Sequence, residues 1–423
     1  MKTPVYSIVI AHRVSVVLAL CCAALLPLVS CGGGGSGGGS AAAPERGDLM
    51  AVTSTSTIDE SVVDATLVVM NQLGYDVSAL AGTYGVSLNR IVYKTQTPDG
   101  RLIDASGVVA YPLKFGGARS PVLSYQHATI VHNNEAPSQL PSDSNDPILT
   151  VLAGTGFVVV MADYIGYGAS QNETHPYVQA AGSAAAVVDM LRAARRLLAN
   201  QGVATNGQLF LTGYSEGGYV ALAAQKEMEQ NLSSEFSITA SMPAAGPYDM
   251  AATAQHIVGL TTNDQPVIVS FVFKAYDRWY GWGRLSELFQ APYRVPVSTY
   301  FDGNHTSGEI QAALTTDSAS LFTTSFRNAF LGSGEPTVKA AFTANNIYNW
   351  APVSPTRLFH GEDDEVVPYF NAINAVTAMT TAGSTSVTLV NCAAPAGLRG
   401  HEACAPFYLG EVFNWFATLA TDL

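Results

Sequence analysis

Gly213-Tyr214-Ser215-Glu216-Gly217-Gly218 is the stretch on which the reading of this chain turns. It follows an apolar run at 208–212 with the length of a buried strand. It precedes Tyr219-Val220-Ala221-Leu222-Ala223-Ala224, a run that suits a helix. A serine at a sharp turn from strand to helix stands exposed for attack, and the flanking glycines leave the room so tight a turn needs. The helix start behind it favours developing negative charge. The bare pattern G-x-S-x-G is a weak signal, and the chain carries a second copy, Gly34-Gly35-Ser36-Gly37-Gly38. Only Ser215 has a strand before it and a helix after it.

A serine hydroxyl needs a histidine base near neutral pH, and the histidine needs a carboxylate to orient it. Where such a turn carries the nucleophile, the chain order is serine, acid, histidine. His360-Gly361-Glu362-Asp363-Asp364-Glu365-Val366-Val367-Pro368 closes a strand-like run, and its spacing G-x-x-D-x-x-V-P selects Asp364, with Asp363 as the alternative. Of eight histidines only His401 lies beyond Asp364, in Gly400-His401-Glu402-Ala403-Cys404, between a strand at 387–390 and a terminal helix. A tetrahedral intermediate also needs oxyanion donors. The main-chain N–H of Glu216 is one. The second is expected in Gln126-His127-Ala128-Thr129, where the N–H of Thr129 is favoured over that of Ala128, and His127 is read as a residue that shapes the loop.

Outward from this centre the chain alternates. Residues 88–95 and 102–111 flank Pro98-Asp99-Gly100, strong hairpin chemistry, so the fold opens with an antiparallel pair. Short apolar runs at 122–125, 157–162, 208–212, 237–242 and 357–359 read as buried parallel strands. Between them, Val187, Met190, Leu191, Ala194, Leu197 and Leu198 form one apolar stripe of a helix. Strands alternating with helices imply a doubly wound, mostly parallel α/β sheet, with its core at 58–248 and 351–423. The rhythm breaks at 249–350, which is read as a mostly helical inserted cap; a separate small domain is the alternative. Its Tyr- and Trp-rich part places Trp279 and Trp282 on or near a substrate pocket.

The first thirty residues read as an address. Lys2, His12 and Arg13 precede an apolar run at 14–29 with the shape of a signal peptide. Leu28-Val29-Ser30-Cys31 resembles a bacterial lipobox, in which Cys31 becomes lipidated; an ordinary signal peptide with an incidental cysteine is the alternative. Residues 31–57 follow as a Gly/Ser/Thr-rich tether that would hold a domain off the outer membrane or cell surface. Removing residues 1–30 takes Lys2 and Arg13 but no acid, so the net charge moves from −13 to −15 and argues against a nucleic-acid partner. Cys21 and Cys22 leave with the signal. Cys392 and Cys404 then remain, bracket His401, and are expected to pair in an exported protein. No zinc signature and no glycine-rich nucleotide loop appears, so neither a metal nor a cofactor is indicated.

Ser124-Tyr125-Gln126-His127, Ala162-Asp163-Tyr164-Ile165-Gly166-Tyr167-Gly168, His175-Pro176-Tyr177, the Ser215 stretch and Ala245-Gly246-Pro247-Tyr248 together resemble bacterial relatives of the secretory lipase A family of α/β-hydrolases. The resemblance covers about residues 60–248 and 351–423. It implies the α/β-hydrolase fold, hydrolysis of carboxylic esters, frequently acylglycerols, and a helical lid inserted after the sixth strand. Glu216 directly after the nucleophile and Ala128 in the oxyanion loop depart from the common pattern and bear on acyl-chain preference. Two other readings stand beside the esterase: a serine peptidase on the same fold, and a surface-binding lipoprotein without catalysis.

Overall fold

The computed structural model describes residues 43–75, 77, 84–140, 146–395 and 397–423. The signal segment, Cys31 and the glycine-rich part of the tether lie outside them. Among the described residues nine strands form one sheet: β1 (Leu49–Ile58), β2 (Val86–Gln96), β3 (Leu102–Pro112), β4 (Ser120–Gln126), β5 (Val158–Ala162), β6 (Thr205–Tyr214), β7 (Ala240–Ala244), β8 (Thr356–His360) and β9 (Val387–Asn391). Their spatial order is β1-β2-β3-β5-β4-β6-β7-β8-β9. The first three strands and β5 pair antiparallel. From β5 through β4 to β9 every pairing is parallel. The opening hairpin and the doubly wound sheet expected from the sequence are both present.

Helices cover both faces. α1 (Glu60–Gln72) and α2 (Pro147–Gly154) pack on one face with the terminal helix, α14 (His401–Leu419). α3 (Ala180–Asn200) and α4 (Glu216–Asn231) pack on the other. The apolar stripe of α3 is buried as read, at Val187, Met190, Leu191, Ala194, Leu197 and Leu198. The interior strands β5 and β7 are buried at every position, which is why their sequences are apolar without alternation.

The tether was expected to extend to residue 57, but Leu49–Ile58 is the edge strand of the sheet, hydrogen-bonded to β2. Its Thr/Ser composition reflects an exposed edge rather than a linker: β-branched threonines favour the extended chain, and hydroxyls suit water on the open side.

Between β7 and β8 the chain folds into eight helices: α5 (Met250–Gly259), α6 (Pro266–Trp279), α7 (Leu285–Leu288), α8 (Arg294–Thr299), α9 (Ser307–Ala313), α10 (Ser318–Leu321), α11 (Thr324–Leu331) and α12 (Pro336–Ala344). Phe273 of α6 is their hub, with Phe289, Phe322, Phe326, Phe330 and Phe342 turned edge-on to its ring at centroid distances of 5.3 to 6.4 Å. After β8 come α13 (Phe370–Thr381) and, beyond β9, α14.

Candidate active site

Ser215 sits between β6 and α4 at φ 59°, ψ −120°. Backbone with positive φ is strained for a residue with a side chain, and it persists where the surroundings over-determine it. Here they do. The Ser215 N–H donates to the Ala244 carbonyl at the end of β7 (2.9 Å). Gly217 and Gly218 pack so closely that an added Cβ would lie 2.1 Å from the Gln126 carbonyl oxygen and 2.0 Å from that of Ala244. A glycine at both positions lets α4 start against the ends of β4 and β7, which aims Ser215 out of the sheet.

The three residues expected to act together meet. Ser215 Oγ is 2.8 Å from His401 Nε2, and His401 Nδ1 is 2.7 Å from Asp364 Oδ2. Ser215 is half-buried while Asp364 and His401 are buried. His401 is the first residue of α14 rather than part of the preceding loop, and its N–H donates to Glu365 Oε2 (3.1 Å). Asp363, the alternative acid, is exposed.

Asp364 is held from four sides. Its Oδ1 accepts the N–H groups of Val366 (3.0 Å) and Val367 (2.7 Å), and its Oδ2 lies 3.2 Å from Nε2 of a second histidine, His360. Burial alone would raise its carboxyl, but hydrogen bonds from His360 and His401, with their charges, hold it well below the usual carboxylate range. For His401, burial would lower the imidazole. The hydrogen bond and charge of Asp364, then the charges of Glu402 and Glu365, outweigh that and raise it above its ordinary 6.5. His360 escaped the sequence reading because it precedes the acid, and chain order looks only downstream.

Cys392 and Cys404 form a disulfide with a Cα–Cα separation of 5.9 Å, joining the chain after β9 to the first turn of α14. It closes the loop that delivers His401. The expected second oxyanion donor, Thr129, is half-buried and bonds through its hydroxyl to that of Tyr177 (2.8 Å), while Ala128 is exposed. His127 stacks on Tyr164 at 3.9 Å.

Ser215 opens on an apolar cavity under the cap, walled by Met250, Ala254 and Ile257 of α5 and by Ile268, Val272 and Phe273 of α6. Trp279 and Trp282, expected on or near this pocket, are not among the residues that line it. They lie at the C-terminal end of α6 and in the turn beyond, where Arg278 stacks over Trp279 and Trp282 packs beside Tyr276 and Tyr280. The reading by composition went to the most aromatic part of α6. The helix instead presents Ile268, Val269, Val272 and Phe273 of its N-terminal half to the cavity.

With this geometry in place, comparison defines the class. A Legionella pneumophila protein is similar at 28% identity over 88% of this chain and 98% of its own, with a TM-score of 0.78. The rice cell wall degrading esterase LipA from Xanthomonas oryzae matches at 27% identity over 89% of this chain and 100% of its own, also with a TM-score of 0.78. Candida antarctica lipase A in its closed state shares the fold at 14% identity, covering 85% and 78% of the two chains, with a TM-score of 0.63. The chain is an α/β-hydrolase. The family described as secretory lipase matches residues 142–278, and the chain is a relative of those lipases within the superfamily. A comparison with curated proteins returned no match.

Proposed function

We propose that this carboxylic ester hydrolase is an exported serine enzyme that works through an acyl-enzyme on Ser215. The observation that carries the reading is the hydrogen-bonded series Ser215, His401, Asp364 at the mouth of an apolar cavity. His401 Nε2 accepts the Ser215 proton as Oγ attacks the ester carbonyl, and Asp364 stabilises the resulting imidazolium through Nδ1. The main-chain N–H groups of Glu216 and Thr129 receive the oxyanion. His401 then returns its proton to the leaving alcohol, and water releases the acid by the same steps in reverse. The apolar wall from α5 and α6 takes the acyl chain. Kinship with secretory lipases supports export. The lipobox at Cys31 adds lipid attachment to a membrane, and no helix among the described residues is long and apolar enough to cross one.

The test is hydrolysis of p-nitrophenyl esters of graded chain length, with fluorophosphonate labelling, in the wild type and Ser215→Ala. The wild type should label and turn over esters. Ser215→Ala should keep its melting temperature, fail to label, and lose activity by roughly 10⁶-fold. Hydrolysis retained in that variant would sink the assignment.

A further inference from the structure

Behind Ser215 lies a buried polar pair that the triad does not use. The Glu216 side chain is 1% exposed, and its Oε1 lies 2.7 Å from Nε2 of His175, itself 6% exposed. The other ring nitrogen, Nδ1, is 2.7 Å from the carbonyl oxygen of Ile165. A carbonyl oxygen only accepts, so Nδ1 carries a hydrogen. The approach of Nε2 to a carboxyl oxygen likewise requires one proton between them, because two bare lone pairs would repel. Imidazolium with carboxylate, or imidazole with carboxylic acid, the pair has no net charge. The second carboxyl oxygen, Oε2, is buried without a hydrogen-bond partner among the described residues.

Two consequences follow from where the pair sits. The main-chain N–H of Glu216 is one of the donors assigned above to the oxyanion. An uncovered carboxylate on the same residue, shielded from water, would oppose that negative charge. His175 cancels it. The imidazole also packs among Tyr164, Tyr167 and Tyr177, with ring centroids 6.0, 5.0 and 5.8 Å away. Each of these tyrosines reaches the loop after β4: Tyr164 donates to the His127 carbonyl (3.0 Å), Tyr167 donates to that of Ile130, and Tyr177 bonds the Thr129 hydroxyl. Burial pushes all three phenols up, and they stay neutral beside the pair. Left-handed backbone at Tyr164 (φ 67°) and Val178 (φ 45°) flanks this segment, and Ser215 shares the positive φ.

We propose that Glu216 and His175 act as one neutral pair that positions both sides of the oxyanion hole and keeps the Glu216 carboxylate from opposing the oxyanion. The proposal rests on Ser215 as nucleophile but concerns groups outside the triad. Both are positioning residues through their side chains.

The experiment measures kcat, KM and melting temperature with p-nitrophenyl butyrate for the wild type, His175→Gln, Glu216→Gln, the double variant, and Ser215→Ala. A glutamine in place of the imidazole supplies a hydrogen bond without charge, so His175→Gln should lower kcat by roughly 10²-fold at little change in KM, the scale of losing one oxyanion donor. The double variant should recover about tenfold of that, since an amide then replaces the uncovered carboxylate. A packing role predicts the opposite, with two changes at least as harmful as one. A double variant no faster than His175→Gln, or His175→Gln with wild-type kcat, overturns the proposal. Should His175→Gln not fold, Glu216→Gln decides: a loss beyond roughly 10²-fold with the melting temperature kept would mean that the carboxylate is required, against the proposal. Ser215→Ala as active as the wild type would instead remove the nucleophile assignment on which all of this rests.

Discussion

In the sheet, position follows from backbone. β4, β6 and β7 lie side by side in register, and the elbow at Ser215 is fixed by a main-chain bond to Ala244 and by glycines pressed against neighbouring strand ends. In the cap there is no such ladder. Helices of 4 to 14 residues are held by side chains that converge on Phe273. The groups proposed to react stand on the part whose geometry is set by hydrogen bonds, while the cap side of the cavity wall comes from the part set by side-chain packing. The first arrangement suits atoms that must meet within tenths of an ångström. The second can change its lining without disturbing them.

The comparison breaks most sharply at the acid. Asp364→Asn should lower kcat by about 10⁴-fold, because an amide at that place favours the wrong tautomer of His401. Asp363→Asn, on the exposed neighbour, should leave kcat within a few-fold. The reverse ranking in steady-state kinetics would move the acid by one residue.

Next in size is the hub of the cap. Phe273→Ala should destabilise by about 3–5 kcal/mol in denaturant unfolding, since it removes a buried ring that five others surround. If the cap is packed as one unit around that ring, the loss appears as an earlier unfolding transition. A cost below about 1 kcal/mol would mean that the cap is held elsewhere.

The smallest effect sharpens the electrostatics of the base. In the proposed mechanism His401 must be neutral to accept the serine proton, so kcat/KM should fall on the acid side through an apparent pKa above 6.5. Glu365→Gln with Glu402→Gln removes two charges that favour the imidazolium, and the limb should move to lower pH. A limb that stays put, or moves to higher pH, would assign the titration to another group.

The difference between the two regions also explains what could be read in advance. Ser215, Asp364 and His401 were legible because a strand, a tight turn and a fixed chain order leave local marks in the sequence, and the buried strands show as apolar runs. β1 was not, because an exposed edge strand has the composition of a linker. The cavity wall was not, because aromatic content says where apolar area is plentiful and nothing about which side of α6 faces Ser215.

By itself, then, the sequence determined the alternation of the sheet, the candidate nucleophile and the order in which acid and base follow it, since each depends on neighbours along the chain. His360 beside Asp364, His175 against Glu216, and the apolar lining from α5 and α6 were decided only by the tertiary structure. Those contacts join residues on different elements or across a loop, and side-chain geometry in a packed interior leaves no periodic trace in the chain that makes it.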